Sequence, residues 1–384
     1  MIIGIVITVV LVLALFFITI APVIFDALAN TVVKKGPHRV FAAAAEQHAS
    51  LLVADLHCDA LLWNRDLLER HGWGHVDLPR LIEGNVALQS FTVATKVPFV
   101  ANYGSNADDA DAVTVLSISQ RRPWRTWTSL LERALYQART LHDAAQRSGG
   151  KLRIITSAKE LDDFIEQRRR QPGLVAGFLG IEGLHSLEGK IENVDVLFNA
   201  GFRMMAPVHF FDNEVGGSAH GTKKTGLTDF GRQVLDRMDE RHILLDMAHA
   251  SPALLDDVLA AATHPVVISH TGVKGTCPGA RNISDDHIRG IAATGGVIGI
   301  GFWKLATGGR DAASIVRAIR YTADLAGADH VGLGSDFDGT VKAAFDTTGL
   351  PLITEELMRE GFASDEVRKI MGGNIVRVLR ETLP

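Results

Sequence analysis

LLVADLHCDALLW, residues 51–63, is an apolar run that ends in side chains able to hold a metal or move a proton. Residues 52–57 read as a buried strand, and the period-two alternation of a strand puts Asp55, His57 and Asp59 on one side of its end. A lone His-x-Asp pair is a weak signal. The same arrangement returns along the chain: Glu182 follows LVAGFLGI, His249 follows HILLDMA, His270 follows PVVIS and Asp336 follows HVGLGS. Strands that each end in such a residue are what a closed parallel barrel needs to gather a site on its C-terminal rim.

Apolar runs near 52–57, 86–94, 174–181, 203–208, 243–248, 265–269, 296–302 and 330–335 alternate with helix-length amphipathic segments. Eight such strands predict an α/β fold, a (β/α)8 TIM barrel, and the metal-ligand residues past their ends point to the metal-dependent hydrolase type. The run 152–156 is expected as a ninth strand outside the barrel. The 384 residues, 47% hydrophobic, suit one such barrel with insertions. A net charge of −5 gives no electrostatic footprint for nucleic acid. Two cysteines, Cys58 and Cys277, indicate no disulfide framework.

Residues 1–25 carry no charged side chain and are long enough to cross a bilayer core. They are expected to be a single transmembrane anchor, followed by a linker at 26–50 and a catalytic domain at 51–384. The competing expectation is a cleaved signal peptide, with Ala27-Leu28-Ala29 as the processing site. Lys34, Lys35 and Arg39 after the span lean toward a cytoplasmic domain, and the side stays open. The long stretch 97–150 contains RRPWRTW at 121–127, expected as a solvated helix start over packed aromatics, with a membrane-surface contact as the alternative.

Around the strand ends, Glu182 lies in GIEGLHSLEG, and its two oxygens allow it to bridge two cations. His249 and His270 supply imidazoles, common neutral metal ligands. His209 ends RMMAPVH before a glycine-rich loop and can complete a metal shell or donate to substrate. Arg281 is placed either to bind an anionic group or to pair with Asp285 or Asp286. Asp336 and Asp338 are both candidate bases, and spacing does not choose between them. Asp55 and Asp246 are expected to support the site from behind its ligands. His185 and Glu188 are expected as helix-start or surface residues.

Together, DLHCDALLW (55–63), GIEGLHSLEG (180–189), MAPVHFFDNEVGGSAHG (205–221), LLDMAHAS (244–251), ISHTGVKGTCPGARNISDD (268–286), GLGSDFDG (332–339) and GGNIVRVL (372–379) resemble the membrane dipeptidase (renal dipeptidase) family, in its bacterial form. Leu56 and Cys58 depart from the Asp-Gly-His-Asn-Asp form of the animal enzymes without removing a ligand. The resemblance implies a metal-dependent dipeptidase with two divalent ions, zinc foremost, one on His57, Asp59 and Glu182, the other on Glu182, His249 and His270. It further implies that His209 polarises the substrate carbonyl, Arg281 holds the dipeptide carboxylate and Asp336 is the acid/base. A metal-bridging hydroxide as nucleophile, tolerance of a C-terminal D-residue and a homodimer are implied as well. The alternative activity is a related amidohydrolase reaction, on N-acyl amino acids or lactams.

Overall fold

The computed structural model describes residues 1–384. Nine apolar runs form parallel strands: β1 (Val53–Cys58), β2 (Val86–Ala94), β3 (Leu152–Ile154), β4 (Val175–Glu182), β5 (Phe202–Ala206), β6 (Leu244–Asp246), β7 (Val266–Thr271), β8 (Val297–Ile300) and β9 (Val331–Leu333). Their order is β2-β1-β9-β8-β7-β6-β5-β4-β3, and a further pairing of β2 with β4 closes eight of them into a ring. β3 pairs only with Val175–Gly177 of β4 and stays outside that ring, as its run suggested. These strands are buried nearly throughout because helices cover one face and the barrel interior the other, which is why they read as continuous apolar stretches.

The packing leaves one end open for chemistry. Residues from the first halves of the strands, among them Ala54, Phe178, Met204, Leu244, Val267 and Val297, join Val378 and Leu379 of the last helix in one buried cluster. A cluster of 61 buried residues fills the layer between strands and surrounding helices. Polar side chains instead occupy the strand ends. Helix starts are fixed by side-chain caps, for example Ser129 accepting from Glu132 N and Ser251 from Leu254 N, each contributing about 1 kcal/mol.

The helix Ile2–Thr19 is exposed except at half-buried Ile18 and is apolar enough to cross a membrane. A second helix, Ala21–Ala29, turns onto the barrel. The stretch 26–50, expected as a linker, is seated on the catalytic domain along much of its length. Asp26 is buried and ion-paired with Arg65 at 3.0 Å, and it accepts from Trp73 Nε1 at 2.9 Å. Asn30 Oδ1 accepts from Thr340 N, and residues 31–34 exchange backbone hydrogen bonds with 343 and 344. His48, in the helix Ala42–Ser50, is buried between Thr354 Oγ1 and the Gly84 carbonyl. The cause is polar: a carboxylate taken out of water must be paired, and the partners of Asp26 lie on the barrel. Trp124, expected to pack beneath a helix start, is 68% exposed.

Candidate metal centre

Five strand ends deliver the candidate ligands to one point. β1 carries His57 next to its last residue with Asp59 just beyond, β4 ends in Glu182, β7 carries His270, and His249 and Asp336 follow β6 and β9. His249 and Asp336 both take left-handed backbone, at φ 64° and 60°. That conformation is uncommon for residues with a Cβ and aims their side chains back over the barrel mouth.

Glu182 is the hub. Its Oε2 lies 3.3 Å from His249 Nε2, 3.8 Å from His57 Nε2 and 3.9 Å from His270 Nε2, while Oε1 lies 3.4 Å from His209 Nε2. His57 Nε2 is also 3.6 Å from Asp59 Oδ2 and 4.0 Å from Asp336 Oδ1, and the Nε2 atoms of His249 and His270 are 3.0 Å apart. Ligand atoms sharing one tetrahedral ion at about 2.0–2.2 Å lie roughly 3.3–3.6 Å from one another, so this set is spaced for coordination. Three triads emerge: His57–Glu182–His270, Glu182–His209–His249 and His57–Asp59–Asp336. The structure therefore brings together all five expected ligands, and His209 and Asp336 join the same cluster.

The chemistry of the set fits a cation. His57 Nε2, Glu182 Oε2, Asp59 Oδ1 and His249 Nδ1 are buried without a hydrogen-bond partner, an arrangement costly for groups facing only each other. Burial pushes the Glu182 carboxyl well above its usual range, and Asp59 adds to the rise. Burial would lower His57, yet Glu182 and Asp59 outweigh it and push that imidazole up to about 10. His209, His249 and His270 are held well below the ordinary value, by burial first and then by neighbouring positive charge. They are neutral, the form in which imidazole binds metal.

The supporting groups fix orientation. Ser269 Oγ contacts Nδ1 of both His57 (3.2 Å) and His270 (3.0 Å), and Thr92 Oγ1 contacts His57 Nδ1 at 3.2 Å. Engaging both Nδ1 atoms turns both Nε2 atoms toward Glu182. Asp55 accepts from Ser335 N and Oγ, at 2.9 and 2.6 Å, tying β1 to the end of β9. Asp246 accepts from Ala248 N and Ser269 N, at 3.0 and 2.7 Å, holding the turns that carry His249 and His270.

Geometry also separates the two aspartates that spacing left equal. Asp338 faces away from the cluster, ion-paired with Arg65 at 2.8 Å and bonded to His75 N and Val76 N. Burial alone would raise its carboxyl, but Arg65 and His75 hold it well below the usual carboxylate range. Its contribution to stability is complete above the unfolded value of about 4 and is lost as pH falls through the lower folded value. Asp338→Asn is expected to cost about 3–5 kcal/mol in unfolding experiments at neutral pH, because Arg65 loses a buried partner. Unchanged stability would remove that role. Asp336 lies toward the metal cluster; burial pushes it up to about 8 against the lowering pull of His57.

A cavity of about 280 Å³ opens over these residues and is lined by Asp59, Glu182, His209, His249, His270, Arg281 and Asp336. It sits at the small end of ligand pockets, which span roughly 300–1,000 Å³. Arg281 is buried, donates to the His270 carbonyl at 2.7 Å and stands near the Trp303 ring. Neither Asp285 nor Asp286 takes it: Asp285 accepts from Tyr321, and Asp286 pairs with Arg289. Sequence reasoning missed Tyr103, Phe210 and Trp303 on the cavity wall. Burial and then Asp336 push the Tyr103 phenol up to about 12, so it stays a donor. It also missed His220, buried against Phe210 and His249 with Nδ1 on the Tyr103 carbonyl. His185, expected at a helix start or near the surface, lies in the short helix Leu184–Leu187 but is buried beside Thr95, where burial lowers it to about 3. Glu188 caps the helix Leu130–Arg147 through Ser129 Oγ and Leu130 N.

Known proteins resemble this chain in sequence and in fold. The sequence model of the family described as membrane dipeptidase (peptidase family M19) matches residues 42–383. Dipeptidase aclJ of Aspergillus oryzae is 26% identical over 376 residues, 92% of this chain and 83% of that protein. Among solved structures, a metallopeptidase from Rhodobacter sphaeroides liganded with a phosphinate mimic of L-Ala-D-Ala aligns with TM-score 0.71 and 26% identity, over 86% of this chain and 99% of that one. The probable dipeptidase PvdM of Pseudomonas aeruginosa, at 20% identity, shares the fold with TM-score 0.74 over 90% of this chain and 99% of that one. With the family model spanning the barrel and the metal-binding cluster at its mouth, the chain belongs to the membrane dipeptidase family, peptidase family M19, and is a metallo-dipeptidase.

Proposed function

We propose that this chain hydrolyses the single peptide bond of free dipeptides with two divalent cations, one held by His57, Asp59 and Glu182 and the other by Glu182, His249 and His270. The observation that carries this reading is the convergence of three imidazole Nε2 atoms on one oxygen of Glu182. An imidazole and carboxylate donor set favours zinc, with manganese, iron and cobalt as competitors. Bound there, the cations would supply an acidified water and polarise the scissile carbonyl.

The chain's own residues do the rest. Asp336 takes a proton from the attacking water and passes it to the departing amine. His209, neutral and beside Glu182, donates its N–H to the carbonyl oxygen as negative charge develops there. Arg281 binds the C-terminal carboxylate in the cavity wall, which limits substrates to one residue beyond the scissile bond. Tolerance of a D-residue at that position is supported by the related metallopeptidase bound to an L-Ala-D-Ala mimic.

Zinc-reconstituted full-length protein is expected to cleave dipeptides and to leave dipeptide amides and N-acyl amino acids largely intact; equal rates on N-acyl amino acids would overturn the assignment. Arg281→Ala is expected to raise KM for dipeptides by about 10–100-fold, matching about 1.5–3 kcal/mol for hydrogen bonds to a charged group. Amides should be much less affected. An equal loss on amides would take the carboxylate clamp away from Arg281.

The N-terminal helix is proposed to be a retained single-pass anchor. Processing after Ala29 would remove Asp26, leaving buried Arg65 with one carboxylate fewer. Retention is read by N-terminal sequencing and by resistance to carbonate extraction.

A further inference from the structure

Taking the N-terminal helix as a membrane anchor, we infer that the C-terminal rim of the barrel is itself a bilayer-contact surface, so that the cavity opens at the lipid–water interface. The first observation is one of length. Eighteen helical residues at 1.5 Å each cover roughly 27 Å of a hydrocarbon core of roughly 30 Å, so the span is completed just beyond Thr19. Phe25 and Ala29, one and two turns further on, line the same cavity as Asp59, His209 and Arg281. The mouth of the cavity is thereby placed at headgroup depth.

The anchor is not a free tether that would let the barrel roll away. Asp26 is ion-paired with Arg65, Asn30 accepts from Thr340 N, and residues 31–34 are hydrogen-bonded to residues 343 and 344. These contacts grip the loop that leaves Asp336, and they fix which face of the barrel meets the lipid.

That face has the composition an interface requires. Beyond residue 29, five of the nine large apolar side chains exposed on the surface fall between 99 and 127: Phe99, Val100, Val115, Trp124 and Trp127. Phe99 lines the cavity beside Phe25. The helix Ala112–Ser119 packs against both N-terminal helices and against Arg125–Thr128, so the patch is continuous with the anchor. Arg125 lies near the Trp124 ring, and Arg121 is exposed alongside. Tryptophans interleaved with arginines suit the headgroup layer, where rings sit at the boundary and guanidiniums meet phosphates. The opposite end of the barrel differs: its groove is lined by Arg169, Arg368, Lys369, Arg377 and Arg380, with few apolar groups. Substrate therefore enters from the headgroup layer rather than from open solvent.

The test uses the full chain in nanodiscs of phosphatidylcholine and phosphatidylglycerol. In a Cys277→Ser background, spin labels are placed at V100C, at W124C and, as the control on the far end, at R169C. Buried Cys58 is out of reach of the label. Labels at 100 and 124 are expected to meet aqueous nickel chelate severalfold less, and oxygen severalfold more, than the label at 169. Equal nickel accessibility at all three positions, with the protein still resisting carbonate extraction, would overturn the docking surface and leave the anchor standing. Release of the protein by carbonate would overturn both.

Discussion

Asp336→Asn is expected to lower kcat by about 10²–10⁴-fold, the range of a lost general acid–base group, while two equivalents of metal stay bound. Asparagine keeps the shape and the hydrogen-bonding oxygen but cannot accept a proton near neutrality. The structure makes this outcome informative because Asp336 sits 4.0 Å from His57 and shares a possible metal triad with His57 and Asp59. A ligand role and a proton-transfer role thus predict different results. If Asp336 holds metal, the asparagine variant loses an ion along with activity. If it moves a proton, elemental analysis reads the parental content with turnover nearly abolished. The carboxyl is suited to the second role: burial lifts it to about 8, and a cation at Glu182 would draw that value toward neutrality, where a group both accepts and releases protons readily. Asp338→Asn supplies the contrast, since its effect should appear in unfolding and not in metal content. Full turnover in Asp336→Asn would remove Asp336 from the mechanism.

The barrel was legible because each strand is buried on both faces and must be written as an unbroken apolar run. Only the ends moved. The run 243–248 pairs as Leu244–Asp246, and 330–335 pairs as Val331–Leu333. The backbone leaves the sheet there to enter the turns that carry His249 and Asp336, and apolarity alone does not mark that departure. The candidate ligands were legible for the same reason: a polar residue directly after such a run is conspicuous. Arg281 was visible as a residue, but its partner was not, because Asp285 and Asp286 are near in sequence while the cavity is near only in space. Tyr103, Trp303 and the Asp26–Arg65–Asp338 bridge were invisible because they join positions separated by tens to hundreds of residues. Nothing local in Asp26, at the end of an apolar helix, says that it will be buried against Arg65. A linker was the natural reading of a segment whose partners lie far along the chain.

Glu182→Gln tests the claim on which the chemistry depends. The amide is nearly isosteric and should fold, yet it replaces one of two anionic oxygens with a donor that repels a cation. If Glu182 serves both sites, both should weaken together, with bound metal falling from two equivalents toward none and activity falling by more than about 100-fold, beyond a typical outer-shell change of about 10–100-fold. Metal that binds only the native state also stabilises it by mass action, so the melting temperature difference between metal-loaded and chelated protein should shrink in the variant. The chelated forms should be much closer, since the substitution removes a buried carboxylate that is costly when no cation is nearby. That comparison separates a bridging ligand from a structural residue: a structural role would destabilise the chelated protein and leave the metal-dependent increment intact. Loss of one equivalent with the other held at parental affinity would confine Glu182 to a single ion. The approach of His57, His249 and His270 to one Glu182 oxygen, at 3.8, 3.3 and 3.9 Å, argues against confinement, because imidazoles from both proposed sites reach that oxygen.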